Sequence, residues 1–137
     1  MKTALITGAS QGIGAAIAYK LNDKKIKVIL VSRSKSKLKT FQKNLKFPKN
    51  SLIISKDLRS LSACNSIAKK IKKLDYLINV AGATKGGKFL NLNDKIWEDG
   101  FNLKFKAAVR LSRAFWPVLK KSKGKVINIG GGAARNP

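Results

Sequence analysis

The sequence predicts a doubly wound α/β fold, a parallel sheet of about five strands with helices on both faces. Three observations carry this reading. Short apolar runs alternate with longer amphipathic stretches along all 137 residues. Residues 26–31 (IKVILV) are β-branched and nearly continuous, the pattern of a strand covered on both faces. Each glycine cluster, at 8–14, 82–87 and 130–132, falls directly after a predicted strand.

Taken in order, residues 3–7 (TALIT) make a short strand that stops at Gly8. Ile13, Ile17, Ala18 and Leu21 then keep a helical period. Residues 26–31 are the second strand, and residues 34–47 read as a basic helix with Leu38, Phe41 and Leu45 on one side. Residues 51–55 (SLIIS) give the third strand. Ser60 can cap a helix running through Ile67, Ala68 and Ile71. Residues 75–80 (DYLINV) are the fourth strand. Asn93 caps a long helix carrying Ile96, Phe101, Phe105, Ala108 and Val109, which Pro117 should kink or end. Residues 125–129 (KVINI) are the fifth strand. Strict alternation of this kind implies right-handed crossovers in a Rossmann-like sheet, whose ligands lie beyond the carboxyl ends of the strands.

The chemistry-bearing segment is residues 7–14, TGASQGIG, set between the first strand and the first helix. Gly8 allows a tight exit turn. Gly12 lets backbone approach a diphosphate, and Gly14 lets the helix pack closely. The helix then directs its free N–H groups and a partial positive charge at the phosphates. No GK[ST] follows, so a Walker loop is excluded. The expected reading is one dinucleotide-binding domain over residues 1–137, with Gly8, Ser10, Gln11, Gly12, Ile13 and Gly14 among the cofactor contacts. A glycine-rich turn without a ligand is the alternative.

Composition removes several function classes. With no His, Ser-His-Asp triads, Cys-His dyads and HExxH zinc sites are excluded. A single Cys, Cys64, cannot form an internal disulfide, which fits a reducing compartment and an expected cytoplasmic location. No apolar run approaches the ~20 residues of a membrane helix, and the three apolar residues 4–6 are too few for a secretory leader. Thirty Lys and Arg against six Asp and Glu give a net charge of +24. The excess is nearly all Lys, spread from Lys2 to Lys125. It reads as a solvated basic surface rather than a specific nucleic-acid interface.

At this point the motifs resemble the short-chain dehydrogenase/reductase family of the classical type. Residues 7–14 match its TGxxxGxG. Asp57-Leu58 resembles its adenine-contacting Asp. Residues 77–82 (LINVAG) resemble its NNAG motif, with Val80 for the second Asn. Trp97, residues 111–114 (LSRA) and Pro117 resemble its long interface helix, and residues 125–129 the strand carrying its catalytic Ser. The resemblance implies hydride transfer between a nicotinamide cofactor and a small carbonyl or alcohol substrate. It adds Asp57, Leu58, Asn79, Ala81 and Gly82 to the expected cofactor contacts, and a homo-oligomer for a full-length form. A non-catalytic dinucleotide-binding module or partner subunit is the alternative function.

The second strand ends on Ser32-Arg33. An acidic residue there would accept hydrogen bonds from an adenosine ribose diol. None is present, and Arg33, with Lys35 and Lys37 nearby, could hold a 2′-phosphate. NADP(H) is therefore expected over NAD(H). The resemblance also implies a Tyr-x-x-x-Lys pair, but Asp23 follows Tyr19 by four and Val80 follows Tyr76 by four. The family's Ser position holds Gly130 or Gly131. Its Asn position, seven beyond Trp97, holds Lys104, which could act as an acid at the cleft edge or stand as a solvated helix lysine. The expectation is a C-terminally incomplete, cofactor-binding portion of a longer reductase, with a fifth strand left as an apolar edge and a long helix whose Phe101, Phe105, Phe115 and Trp116 lack a partner.

Overall fold

The computed structural model describes residues 1–82 and 86–131. Residues 83–85 and Gly132, parts of two predicted glycine turns, lie outside the described residues. The elements are β1 (Thr3–Thr7), α1 (Gly12–Asp23), β2 (Lys27–Ser32), α2 (Lys35–Lys43), β3 (Ser51–Ser55), α3 (Leu61–Lys70), β4 (Tyr76–Asn79), α4 (Asp94–Phe101), α5 (Ala107–Ser122) and β5 (Lys125–Asn128). The five strands are parallel, in the order β3-β2-β1-β4-β5. The chain starts mid-sheet, builds outward to β3 and returns to the other side of β1. The switch point therefore lies between β1 and β4.

Side chains alternate across the sheet because successive Cβ atoms of a strand point to opposite faces. Leu5, Ile29, Val31 and Leu77 pack on one face with Cys64 and Ile67 of α3 and Leu111 and Phe115 of α5. Ala4, Ile6, Val28, Leu30 and Ile78 pack on the other with Ala18 of α1 and Leu38 of α2. Val28 to Val31 of β2 are all buried, as their continuous apolar run predicts. Buried Asp75 pins the amino end of the sheet. Its Oδ2 accepts from Thr3 N at 2.8 Å and its carbonyl accepts from Lys125 N at 2.8 Å. The carboxyl ends are left to build a site.

Ser60 and Asn93 cap their helices as expected, and Ser34 caps the second. Ser34 Oγ accepts from Lys37 N at 3.3 Å, Ser60 Oγ from Ala63 N at 3.3 Å, and Asn93 Oδ1 from Ile96 N at 3.0 Å. Three expectations need correction. The second helix does not reach residue 47 but ends at Lys43. Buried Asn22 takes both backbone groups of Phe47, accepting its N–H at 2.8 Å and donating to its carbonyl at 3.0 Å, which draws the chain away from helical pairing. The long helix is not continuous: a π segment, Asn102–Lys106, separates α4 from α5. Pro117 does not end α5, which runs to Ser122. The buried side chains Leu111, Phe115 and Leu119 anchor α5 on both sides of the proline, and this packing outweighs the lost hydrogen bond, a cost of about 3 kcal/mol.

The apolar face expected of that helix also divides in two. Phe115 is fully buried, not partnerless, whereas Phe101, Phe105 and Trp116 are 55%, 62% and 61% exposed. β5 is an edge strand with Ile127 open to solvent, as the sequence predicts.

Candidate functional site

The site is built on the loop between β1 and α1. Thr7 is buried, and its Oγ1 accepts from the N–H groups of Val80 at 2.9 Å and Ala81 at 3.0 Å. That hydroxyl ties the end of β4 to the end of β1 across the switch point. Gly8 then turns with φ +62°, and Gly12 with φ +58°, a region that costs an L-residue about 1 kcal/mol or more. A Cβ on Gly8 would approach the Ala81 backbone to 3.1 Å. A Cβ on Gly14 would collide with the Gly8 carbonyl oxygen and approach that of Thr7 to 3.1 Å. Gly14 thus brings α1 against the loop backbone itself, rather than against the sheet generally. Gly12 is different: its missing side chain leaves space with no protein atom within 4 Å. Gln11 makes no side-chain capping bond and no acidic residue stands in the first turn of α1. The first N–H groups of the helix therefore face this space without a side-chain partner.

The space is part of a cleft of about 310 Å³. Ten of the expected contacts line it: Gly8, Ser10, Gln11, Gly12, Ile13, Gly14, Arg33, Leu58, Ala81 and Gly82. Two, Asp57 and Asn79, are not among the residues that line it. Asp57 is held by Arg59, whose Nε lies 3.1 Å from both carboxylate oxygens and whose Nη2 lies 2.7 Å from Oδ2. These hydrogen bonds hold the Asp57 carboxyl below the usual carboxylate range. A second ion pair, Arg59 to Asp99 at 3.4 Å, links the cluster to α4. Asn79 is 7% exposed, and its Nδ2 donates to Asn128 Oδ1 at 2.9 Å. It ties β4 to β5, and its buried Oδ1 has no hydrogen-bond partner among the described residues.

Sequence reasoning missed Lys56, Val80 and Leu103, which also line the cleft. Lys56 carried no visible signal among 30 basic residues. Ser32 lines the cleft as well, and its Oγ is buried without a hydrogen-bond partner among the described residues. A buried hydroxyl left unpaired costs about 1–3 kcal/mol, so this oxygen is an open donor at the β2 end. Arg33 and Lys56 bring positive charge to the same end, and no described residue lining the cleft is acidic. Lys37 reaches across from α2, its Nζ 3.5 Å from Gln11 Oε1. Leu58 forms an apolar wall, backed by Cys64, whose Sγ donates to the Leu58 carbonyl at 3.6 Å. Burial pushes the Cys64 thiol up.

Lys104 is not a solvated helix lysine. It lies in the π segment, half-buried, and its Nζ donates to the Ile129 carbonyl at 2.7 Å. Its stem occupies the space beside Gly82. A second groove of about 320 Å³, lined by Trp97, Phe101 and Phe105, runs along its other side. Among the described residues no group of three His, Cys, Asp or Glu could hold a metal ion, and no helix is long and apolar enough to cross a membrane.

Comparison with known proteins agrees with this geometry. The family model of the short chain dehydrogenases matches residues 2–137. The chain is 37% identical over 139 residues to a 3-oxoacyl-(acyl-carrier-protein) reductase of Rickettsia typhi, covering 99% of this chain and 57% of that protein. Among solved structures, a metagenomic short-chain oxidoreductase in complex with NADP is similar with a TM-score of 0.92 and 32% identity, over 99% of this chain and 65% of that one. L-sorbose reductase from Gluconobacter frateurii, complexed with NADPH and L-sorbose, gives a TM-score of 0.92 and 27% identity over 99% and 54% of the two chains. The chain spans just over half the length of the curated relatives it matches. The chain, with its parallel five-stranded sheet and its glycine loop at the switch point, belongs to the short chain dehydrogenase family.

Proposed function

We propose that the chain is the nucleotide-holding part of an NADP(H)-dependent oxidoreductase that acts on a small carbonyl or alcohol compound. The observation that carries the reading is the open space in front of Gly12, faced by the unpartnered amides of α1 and continuous with a cleft that has no acidic residue among its described lining. A diphosphate suits that space because backbone N–H groups and the helix dipole both favour negative charge there. The residues present fit the cofactor. The Gly8–Gly14 backbone would hold the diphosphate. Ile13 and Leu58 offer apolar contact to the adenine side. Ser32 Oγ, Arg33 and Lys56 would receive a 2′-phosphate, and Ala81 and Gly82 the nicotinamide half.

When bound, the cofactor supplies or accepts a hydride. The chain's own residues would bind and orient it: the glycine loop would hold the diphosphate, Thr7 ties the end of β4 to that of β1, and the cationic β2 end would hold the adenosine half. The substrate class rests on the relatives, whose names include a 3-oxoacyl reductase and a sorbose reductase. A full-length form is proposed to associate with copies of itself through the exposed α4–α5 face.

The test is fluorescence titration of the purified chain with NADPH and with NADH. NADPH is expected to bind at least ~10-fold tighter, since a charge-assisted contact to one phosphate is worth about 1.5–3 kcal/mol. Arg33→Ala should close most of that gap. Binding of neither nucleotide overturns the reading; equal binding of both overturns the choice of NADP(H).

A further inference from the structure

We propose that Lys104 is a fixed positive charge at the nicotinamide end of the cleft, and that it makes the chain hold the reduced cofactor in preference to the oxidised one. This rests on the dinucleotide reading above and adds to it a role in discriminating redox state.

A surface lysine samples many rotamers and its charge is screened. Lys104 is held at two points: its Nζ donates to the Ile129 carbonyl at 2.7 Å, and its stem lies where a Cβ on Gly82 would be, with Nζ itself 2.9 Å from that position. The π segment accounts for its direction. A helix that takes on a π turn shifts its register, and here Lys104 reaches the ends of β4 and β5 while its neighbours Phe101 and Phe105 face solvent. Among the described residues no carboxylate pairs with it, since the ion pairs present involve Lys2, Lys46, Arg59 and Lys95. An uncompensated ammonium is thus tied beside Gly82, a residue that lines the cleft at the β4 end.

The two halves of a dinucleotide lie on opposite sides of the switch point. The adenosine half suits the β2 end, where Arg33, Lys56 and the open Ser32 hydroxyl stand. The nicotinamide half would then fall to the β4 side, where Gly82 lines the cleft and Lys104 stands against it. The oxidised and reduced cofactors carry the same phosphates and differ in the charge of one ring, which is positive when oxidised and neutral when reduced. A tethered cation near that ring penalises only the oxidised form.

The experiment measures the dissociation constants of NADP⁺ and NADPH for the purified chain by calorimetry and takes their ratio. Lys104→Met, which keeps the stem beside Gly82, should lower the preference for NADPH about five- to tenfold. Lys104→Gln, which keeps a donor for Ile129 but no charge, should do the same. Lys104→Arg should hold the parent ratio within about twofold, as should the exposed control Lys106→Met, whose charge water screens. An unchanged ratio in Lys104→Met and Lys104→Gln, with both forms still bound, overturns the proposal. So does a parent-like ratio in Lys104→Gln alone, which would assign the effect to the hydrogen bond. Should Lys104→Met lose its helical circular dichroism, the Gln variant decides. If the parent chain binds neither form, it is the dinucleotide reading that has failed, a result distinct from an unchanged ratio.

Discussion

The two ends of the cleft wall are built on different principles. Around residues 7–14 the backbone of one element touches that of the next: Gly14 against the Gly8 carbonyl, Gly8 against Ala81, Thr7 Oγ1 on two amides of the β4 end. Along α4, the π segment and α5, contact is made by side chains, and Phe101, Phe105 and Trp116 stand more than half open while Phe115 is enclosed. The first region fixes a shape for a ligand. The second carries one stripe that serves the core and another free to meet a further surface. A helix's apolar count therefore does not say which residues stabilise it.

The contrast can be broken most forcefully at Phe115. Phe115→Ala should cost about 3–5 kcal/mol in urea unfolding, whereas Phe105→Ala should stay within about 0.5 kcal/mol. Equal losses would show that the outer stripe is buried in solution. The glycine loop comes next. Gly14→Ala places a methyl on a carbonyl that cannot retreat, and a loss of about 3 kcal/mol is expected in the same assay. Gly12→Ala should cost only about 1–2 kcal/mol, from its positive φ, because the space before it is empty of protein. Yet it should weaken NADPH binding at least ~10-fold by fluorescence titration. A Gly12 variant that binds as the parent does would remove the ligand from that space.

The smallest effect concerns Asp57. Its carboxyl is held below the unfolded value of about 3.9 by Arg59. The pair thus contributes stability above that pH and loses it as pH falls below ~4. Arg59→Ala should flatten this acid limb of the stability curve only slightly, because both side chains are more than a third exposed. A larger change would mean that the link through Asp99 to α4 also matters.

Much of this was readable from residue order. β1 and β3 fall on the residues their apolar runs mark, and Ser60 and Asn93 cap as expected. The glycine loop was legible because its glycines answer local demands of φ and contact. What was illegible depended on partners distant in sequence. Asn22 ends α2 from 25 residues away. The π break is hidden because apolar spacing continues across it. The clasp of Arg59 on Asp57 is the exception: the two stand only two residues apart, but the sequence does not show which way the guanidinium folds. Lys104 could be singled out by its spacing from Trp97, but its tether to Ile129 could not, and Lys56 was indistinguishable among so many lysines until the sheet placed it at its carboxyl edge.

The most direct test of the cleft is the melting temperature of the parent chain and of Gly12→Val, with and without NADPH at about 100 times its dissociation constant. Mass action should add about 2.7 kcal/mol, a rise of roughly 10 °C for a chain of this size. That rise should appear in the parent and vanish in Gly12→Val, whose valine fills the space the diphosphate would take. A parent that does not shift, or a variant that shifts equally, would contradict it.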